Sequence, residues 1–245
     1  ARSRNDQIAL DLRMYIRDAG IEIDALLTQL ISELALLANN EIDTIMPGYT
    51  HLQVAQPIRF SHHVLAHAWA LLRDKRRLQT AVESCDMLPL GSGAMAGVNY
   101  PSDREMLREE LNFTSIIPNS MDGVSDRDFA LDFLYFAAML GMHLSRFCEE
   151  LVLWSTSEFS FIRLSDSVTT GSSIMPQKRN PDIAELIRGK TGRLYGDLLS
   201  LFTIMKSLPM TYNRDFQEDK EPVFDAIETV MLSLEGMIEM ISSLK

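Results

Sequence analysis

Between about Ser125 and Glu158 the chain carries apolar side chains around most of the circumference of a helix, and no other stretch constrains the fold as strongly. Phe129, Phe133, Phe136, Leu140, Leu144 and Leu151 recur at helical spacing, and Leu131, Leu134, Met142 and Val152 fill the flanks. A helix that is apolar on many sides must be buried among several others. Ser125 with Asp128 reads as its N-terminal cap.

The rest of the chain supplies the partners. From about Asp6 to Asn39 an apolar stripe runs through Ile8, Leu12, Ile16, Ile23, Leu27, Leu30 and Leu34, which predicts one long helix. Gly20 weakens it by up to about 1 kcal/mol relative to Ala. A second helix is expected from about Ser61 to Asp86, a fourth long one from Asp182 to Leu208, and a fifth from about Pro222 onward. Ser102 and Glu105 read as a capping box for a short helix ending near Leu111. There is no βαβ rhythm and no run of short alternating strands. The expected fold class is all-α, a bundle of long helices forming one domain over residues 1–245. Helices this apolar also invite oligomerisation, which gains about 25 cal/mol for each Å² of apolar surface removed from water.

Composition narrows the partners. The 245 residues are 46% hydrophobic, enough for a cooperative core. The net charge of -11 repels phosphate backbones, so no nucleic-acid partner is expected. The densest basic run, Arg73 with Lys75, Arg76 and Arg77, reads as the solvated face of a helix. No apolar run reaches the roughly 18 residues of a membrane span, so no membrane partner is expected. Cys85 and Cys148 form no CxxC pair, which suits a reducing compartment. The chain opens without Met inside a polar motif and stops on an uncapped helical pattern, so a fragment of a longer protein is expected.

Four polar segments interrupt the helical text. Ser3-Arg4-Asn5-Asp6-Gln7 precedes the first helix, where free backbone N–H groups and the positive dipole end suit a carboxylate. Arg4 adds a possible bidentate clamp. Thr50-His51-Leu52-Gln53, inside the connector Pro47–Pro57, offers an imidazole for acid–base work near neutral pH. His63 and His67 are one helical turn apart, but no Glu or Asp completes an HExxH-like pattern, so no metal is expected. Thr170–Pro181, TGSSIMPQKRNP, combines a glycine, two hydroxyls, Lys178 and Asn180 ahead of a helix, as an anion-handling loop would. It is neither a P-loop nor a nucleophile elbow. Finally, Tyr212, Arg214, Gln217 and Lys220 form a mixed polar set, with Gln217 and Lys220 three apart.

Gly171–Asn180 resembles the long signature loop of the fumarase/aspartase superfamily. Ser3–Gln7 and Pro47–Pro57 resemble the argininosuccinate lyase branch of it. The resemblance covers essentially the whole chain. It implies a helical tetramer core, with each active site drawn from three different subunits, and a cytoplasmic enzyme without cofactor that eliminates fumarate from argininosuccinate. It also implies a family domain before and another after the region seen here. By the same resemblance Ser172 is the base that removes the Cβ proton, His51 assists it and Glu185 partners His51. Arg4, Asn5, Thr50, Lys178, Asn180, Tyr212, Gln217 and Lys220 are substrate contacts. From the residues alone His51 is the easier base at pH 7, since a serine hydroxyl needs its oxyanion strongly stabilised. Other fumarate-releasing lyases of the superfamily, and non-catalytic structural relatives, are the alternatives.

Overall fold

Five long helices account for most of the computed structural model, which describes residues 4–244. Helix α1 spans Asn5–Asn40. A hairpin follows, β1 Ile45–Thr50 against β2 Gln53–Arg59, and leads directly into α2, Phe60–Ser84. The short strand β3, Met87–Leu88, pairs in parallel with β4, Ser115–Ile116, across α3, Arg104–Glu110. Then come α4, Ser120–Ser125, and α5, Asp128–Trp154. A 3₁₀ turn at Asp166–Val168 precedes β5, Thr170–Gly171, which pairs with β6, Arg179–Asn180. Helix α6 is Asp182–Met205; after a 3₁₀ turn at Arg214–Gln217, α7 runs Lys220–Ser242. No helix among the described residues is long and apolar enough to cross a membrane.

The chain divides into two compact units that share the long helices. One comprises the chain up to Glu22, Arg77–Ala137 and Leu194–Ile227; the other Ile23–Arg76, Ala138–Arg193 and Glu228 onward. In the first unit α1 and α2 come so close at Gly20 that a Cβ there would lie 2.4 Å from Val82 Cγ2. The buried Arg13 lies over the Phe129 ring, donates to the Ser84 carbonyl at 2.9 Å and pairs with Asp126. Arg127 and Asp219, also buried, pair at 2.5 Å. Such pairs need each other, because removing one partner leaves an uncompensated charge.

In the second unit Ile23, Leu27, Leu30 and Leu34 of α1 are fully buried, as are Leu140 and Leu151 of α5 and Leu234, Met237 and Met240 of α7. Cys148 packs on Met237, and burial pushes its thiol up to about 12. Lys75 of the basic run bonds Asp24 at 2.7 Å and Thr28, and Arg73 donates to the Trp69 carbonyl, so this run is tied to its surroundings.

The structure corrects several expectations. The fold is largely rather than wholly helical. The connector Pro47–Pro57 is a paired hairpin, concealed because β2 is exposed at nearly every position and lacks the inside–outside alternation that betrays a strand. The cap of α3 is Asp103, whose carboxylate accepts from Met106 N at 2.9 Å, one residue later than the box centred on Ser102. Ser125 does not cap α5. Its hydroxyl bonds back to Met121 O within α4, and Asp126 accepts from Asp128 N instead. Helix α5 stops at Trp154, where the Ser155 and Thr156 hydroxyls bond carbonyls of the last turn.

Candidate active site

The candidates are carried on both units. On the second, Thr50 and His51 stand at the tip of the β1–β2 hairpin. Thr50 pairs with Gln53, so the turn has two central residues, His51 and Leu52, both at φ 56°. Two-residue hairpin turns require this left-handed backbone, which Asn and Gly adopt easily. For residues such as His and Leu it costs roughly 1–2 kcal/mol each. Strain of this sort concentrates at functional sites. Tyr49 holds the hairpin, its ring edge-on to Phe159 with centroids 5.8 Å apart. A cavity of about 650 Å³ at the tip is lined by Thr50, His51, His62, His63, Glu150 and Trp154.

Glu150 is the residue that the sequence did not single out. His63 Nε2 and His67 Nε2 lie 2.8 and 2.7 Å from the same Glu150 oxygen. Burial works against the carboxylate's charge, but the two imidazoles outweigh it and hold the pKa down to about 2. His63 and His67 belong to no HExxH-like pattern in the sequence, but α5 brings an acidic residue to the pair in space, and the three groups are spaced as metal ligands can be.

The signature loop is closed at its base by the β5–β6 pairs Thr170↔Asn180 and Gly171↔Arg179. Thr170 bonds the Asp182 carboxylate at the start of α6, and Asn180 Nδ2 reaches Thr170 Oγ1 at 3.5 Å. Ser172 Oγ accepts from Met175 N at 3.2 Å. Lys178, exposed, borders a cavity of about 470 Å³ with Arg163, Thr169, Gln177 and Arg179. Asp166 also lines it and pairs with Arg179 at 3.3 Å, so the three cations leave a net positive cavity that suits an anionic ligand. Glu185 is exposed in the first turn of α6, its carboxylate 3.9 Å from Arg188.

On the first unit, Arg4 precedes α1 and Asn5 begins it; Ser3 of the same motif lies outside the described residues. Asn5 Nδ2 donates to Ala94 O at 3.4 Å. Asp6, buried, accepts from Gly91 N and Gly93 N at 3.0 and 2.9 Å and so ties the glycine loop to α1. Arg4, Asp6, Gln7, Asn99 and Tyr100 line a cavity of about 890 Å³. Gln217 Nε2 donates to Tyr212 Oη at 2.6 Å, so these two candidates are joined. Lys220 does not share their contact; its ammonium turns to Phe216 O and the buried Asp219 carboxylate.

Within the second unit the cavities at His51 and at Lys178 share no lining residue. The lining at His51 contains neither Ser172, Lys178 nor Glu185, and the lining at Lys178 contains neither His51 nor Ser172.

Comparison with known proteins gives the family context. A family model described as "Lyase" matches residues 1–196. Argininosuccinate lyase of Geotalea daltonii is 59% identical over 244 residues, all of this chain and 53% of that protein. The argininosuccinate lyase of Acetivibrio thermocellus is 56% identical over the same extent. The chain thus spans about half the length of the curated relatives it matches. Among solved structures, EDDS lyase in complex with formate superimposes with a TM-score of 0.93 at 29% identity, over 99% of this chain and 48% of that one. A class II fumarase from Schistosoma mansoni shares the fold, with a TM-score of 0.91 at 18% identity, over 100% of this chain and 56% of that one.

Proposed function

The chain belongs to the lyase family of the fumarase/aspartase superfamily, and from that membership we propose that it carries out β-elimination of argininosuccinate to L-arginine and fumarate. The observation that carries the reading is the identity to argininosuccinate lyases along its whole length, 59% over 244 residues, with the loop Thr170–Pro181 intact.

The reaction removes a proton from the carbon beside a carboxylate of the succinyl group. A carbanion-like species follows, and the C–N bond breaks with the guanidinium of arginine as leaving group. A carbon acid of this kind is weak, so its charge must be stabilised where it develops. Lys178 and Asn180 are the groups proposed to take the fumarate-side carboxylates, and Arg163 and Arg179 add positive charge beside Lys178. Ser172 is proposed as the base. The Met175 amide that donates to its Oγ supports that role, because an N–H aimed at the oxygen favours the oxyanion. His51 is proposed to assist, with Glu185 as its partner, and remains the alternative base. Arg4, Asn5, Thr50, Tyr212, Gln217 and Lys220 are proposed to bind substrate.

The cavities at His51 and at Lys178, which share no lining residue, support a site completed between chains, as a homotetramer with active sites shared by three subunits would have. Helix α6 supports the same assembly. At Gly189, Gly192 and Gly196 a Cβ would meet nothing within 4 Å, and Leu199 and Phe202 are 67% and 52% exposed, a face open to close approach by another helix.

Replacing Ser172 by Ala tests the assignment in the native-length protein. The expected result is unchanged helical content and turnover lowered by at least about 100-fold, the lower end of what acid–base catalysis contributes. Turnover equal to the unmodified protein would remove Ser172 as base and leave His51.

A further inference from the structure

We propose that His63, His67 and Glu150 form a binding site for a first-row divalent cation of the Zn²⁺ type, at the seam between α2 and α5. The proposal does not depend on the elimination chemistry proposed above, although the cluster borders the cavity at His51.

The ligand set comes from two helix faces. His63 and His67 are one turn apart on α2, and Glu150 faces them from α5. The three donor atoms lie within 4.8 Å of one another. Two imidazoles and a carboxylate with further positions open are a common set for zinc and for iron(II) and its neighbours. The present His–Glu separations of 2.8 and 2.7 Å are hydrogen-bond distances. Ligands at about 2.1 Å from a tetrahedral metal stand about 3.4 Å apart. Binding therefore requires each His–Glu separation to widen by about 0.6–0.7 Å, within a cluster whose donors all lie within 4.8 Å of one another.

Aromatic contacts hold both rings. His67 stacks on Phe147 at 4.1 Å and 11°, and His63 meets Trp154 edge-on at 4.9 Å. Phe147 and Trp154 lie on the same face of α5 as Glu150, three before it and four after it. Aromatic packing thus fixes both imidazoles on either side of the carboxylate, which lowers the ordering cost of ligation. The cluster is partly accessible, with side-chain exposures of 27%, 17% and 33% for His63, His67 and Glu150, and it borders two cavities. The larger is the cavity at His51; the smaller, about 320 Å³, is also lined by Arg73, His143 and Arg146. The two arginines oppose a cation there. Arg73 is turned toward the Trp69 carbonyl, and His143 is engaged by the buried Asp74 at 2.6 Å.

Ligation involves no redox step. Each Nε2 that donates to the Glu150 carboxylate must first give up that proton, so a neutral imidazole passes through solvent to its Nδ1–H form and its Nε2 lone pair then takes the cation. Any imidazolium present releases one proton to solvent.

The test is a titration of chelator-treated, native-length protein with Co²⁺ and Zn²⁺, followed by visible absorption, equilibrium dialysis and thermal unfolding. The expected result is one Co²⁺ per chain, displaced by Zn²⁺, with Zn²⁺ raising Tm. In Glu150→Gln, whose amide retains hydrogen-bonding capacity and whose circular dichroism serves as the folding check, affinity should fall at least about 100-fold. His67→Ala should lose the site likewise, while His62→Ala should keep it, since His62 shares the His51 cavity but not the cluster. Absence of stoichiometric binding in the unmodified protein overturns the proposal. So does binding that Glu150→Gln and His67→Ala leave unchanged, because the cation would then sit elsewhere.

Discussion

Glu150 shows how a single residue can be stabilised by groups remote in sequence. Its charge is favoured in the folded chain by His63 and His67, which hold it at about 2 against an ordinary 4.5, despite the opposing effect of burial. A carboxylate with a lowered folded pKa stabilises fully above its unfolded value and loses that contribution as pH falls through the folded one. The window here runs from about 4.5 down to about 2. Glu150→Gln should therefore lower Tm at neutral pH, and the gap from the unmodified protein should close across that window. Parallel Tm curves would show that the contacts of Glu150 with the two imidazoles contribute nothing. Ser172, Lys178 and Asn180 stood out as candidates in the sequence because they sit in one contiguous loop. Glu150 was not, because its partners lie 87 and 83 residues away and only packing of α2 on α5 brings them together. Asp6 was partly legible: its segment was marked as polar and functional, but its bonds to Gly91 and Gly93 give it a structural task.

At the scale of elements, periodicity located all five long helices, because burial of an apolar stripe repeats every turn regardless of what it packs against. It did not foresee how closely two helices approach. Gly20 read as a weakness in α1, and by helix propensity Gly20→Ala should gain up to about 1 kcal/mol. The structure predicts the opposite. The new methyl would meet Val82 at 2.4 Å, an overlap that the helices must separate to relieve. Gly20→Ala should destabilise by about 1–3 kcal/mol in urea unfolding, the usual cost of overpacking. In a Val82→Ala background the same change should cost much less. A stabilised single variant would mean that α1 and α2 are not in close contact there. The β1–β2 hairpin escaped notice for a related reason. Its strands are defined by backbone pairing and a strained two-residue turn, and neither leaves a hydrophobic pattern.

For the molecule as a whole, exposed apolar residues remain where a lone chain has no use for them. On α2, Leu65, Trp69 and Leu72 are 39%, 64% and 37% exposed. At about 100° per residue they lie on the side opposite His63 and His67. With the α6 face they are surfaces that assembly would cover. Light scattering of the native-length protein should give the mass of four chains, and Leu199→Glu should yield smaller species with helicity retained. A monodisperse monomer would contradict the shared-site reading. The central claim remains the reaction itself. It is tested most directly by incubating the native-length protein separately with argininosuccinate, adenylosuccinate, aspartate and malate, and measuring fumarate together with the second product. The account predicts fumarate and L-arginine in equal amounts from argininosuccinate alone. Fumarate from one of the other substrates, or none from argininosuccinate, would contradict it.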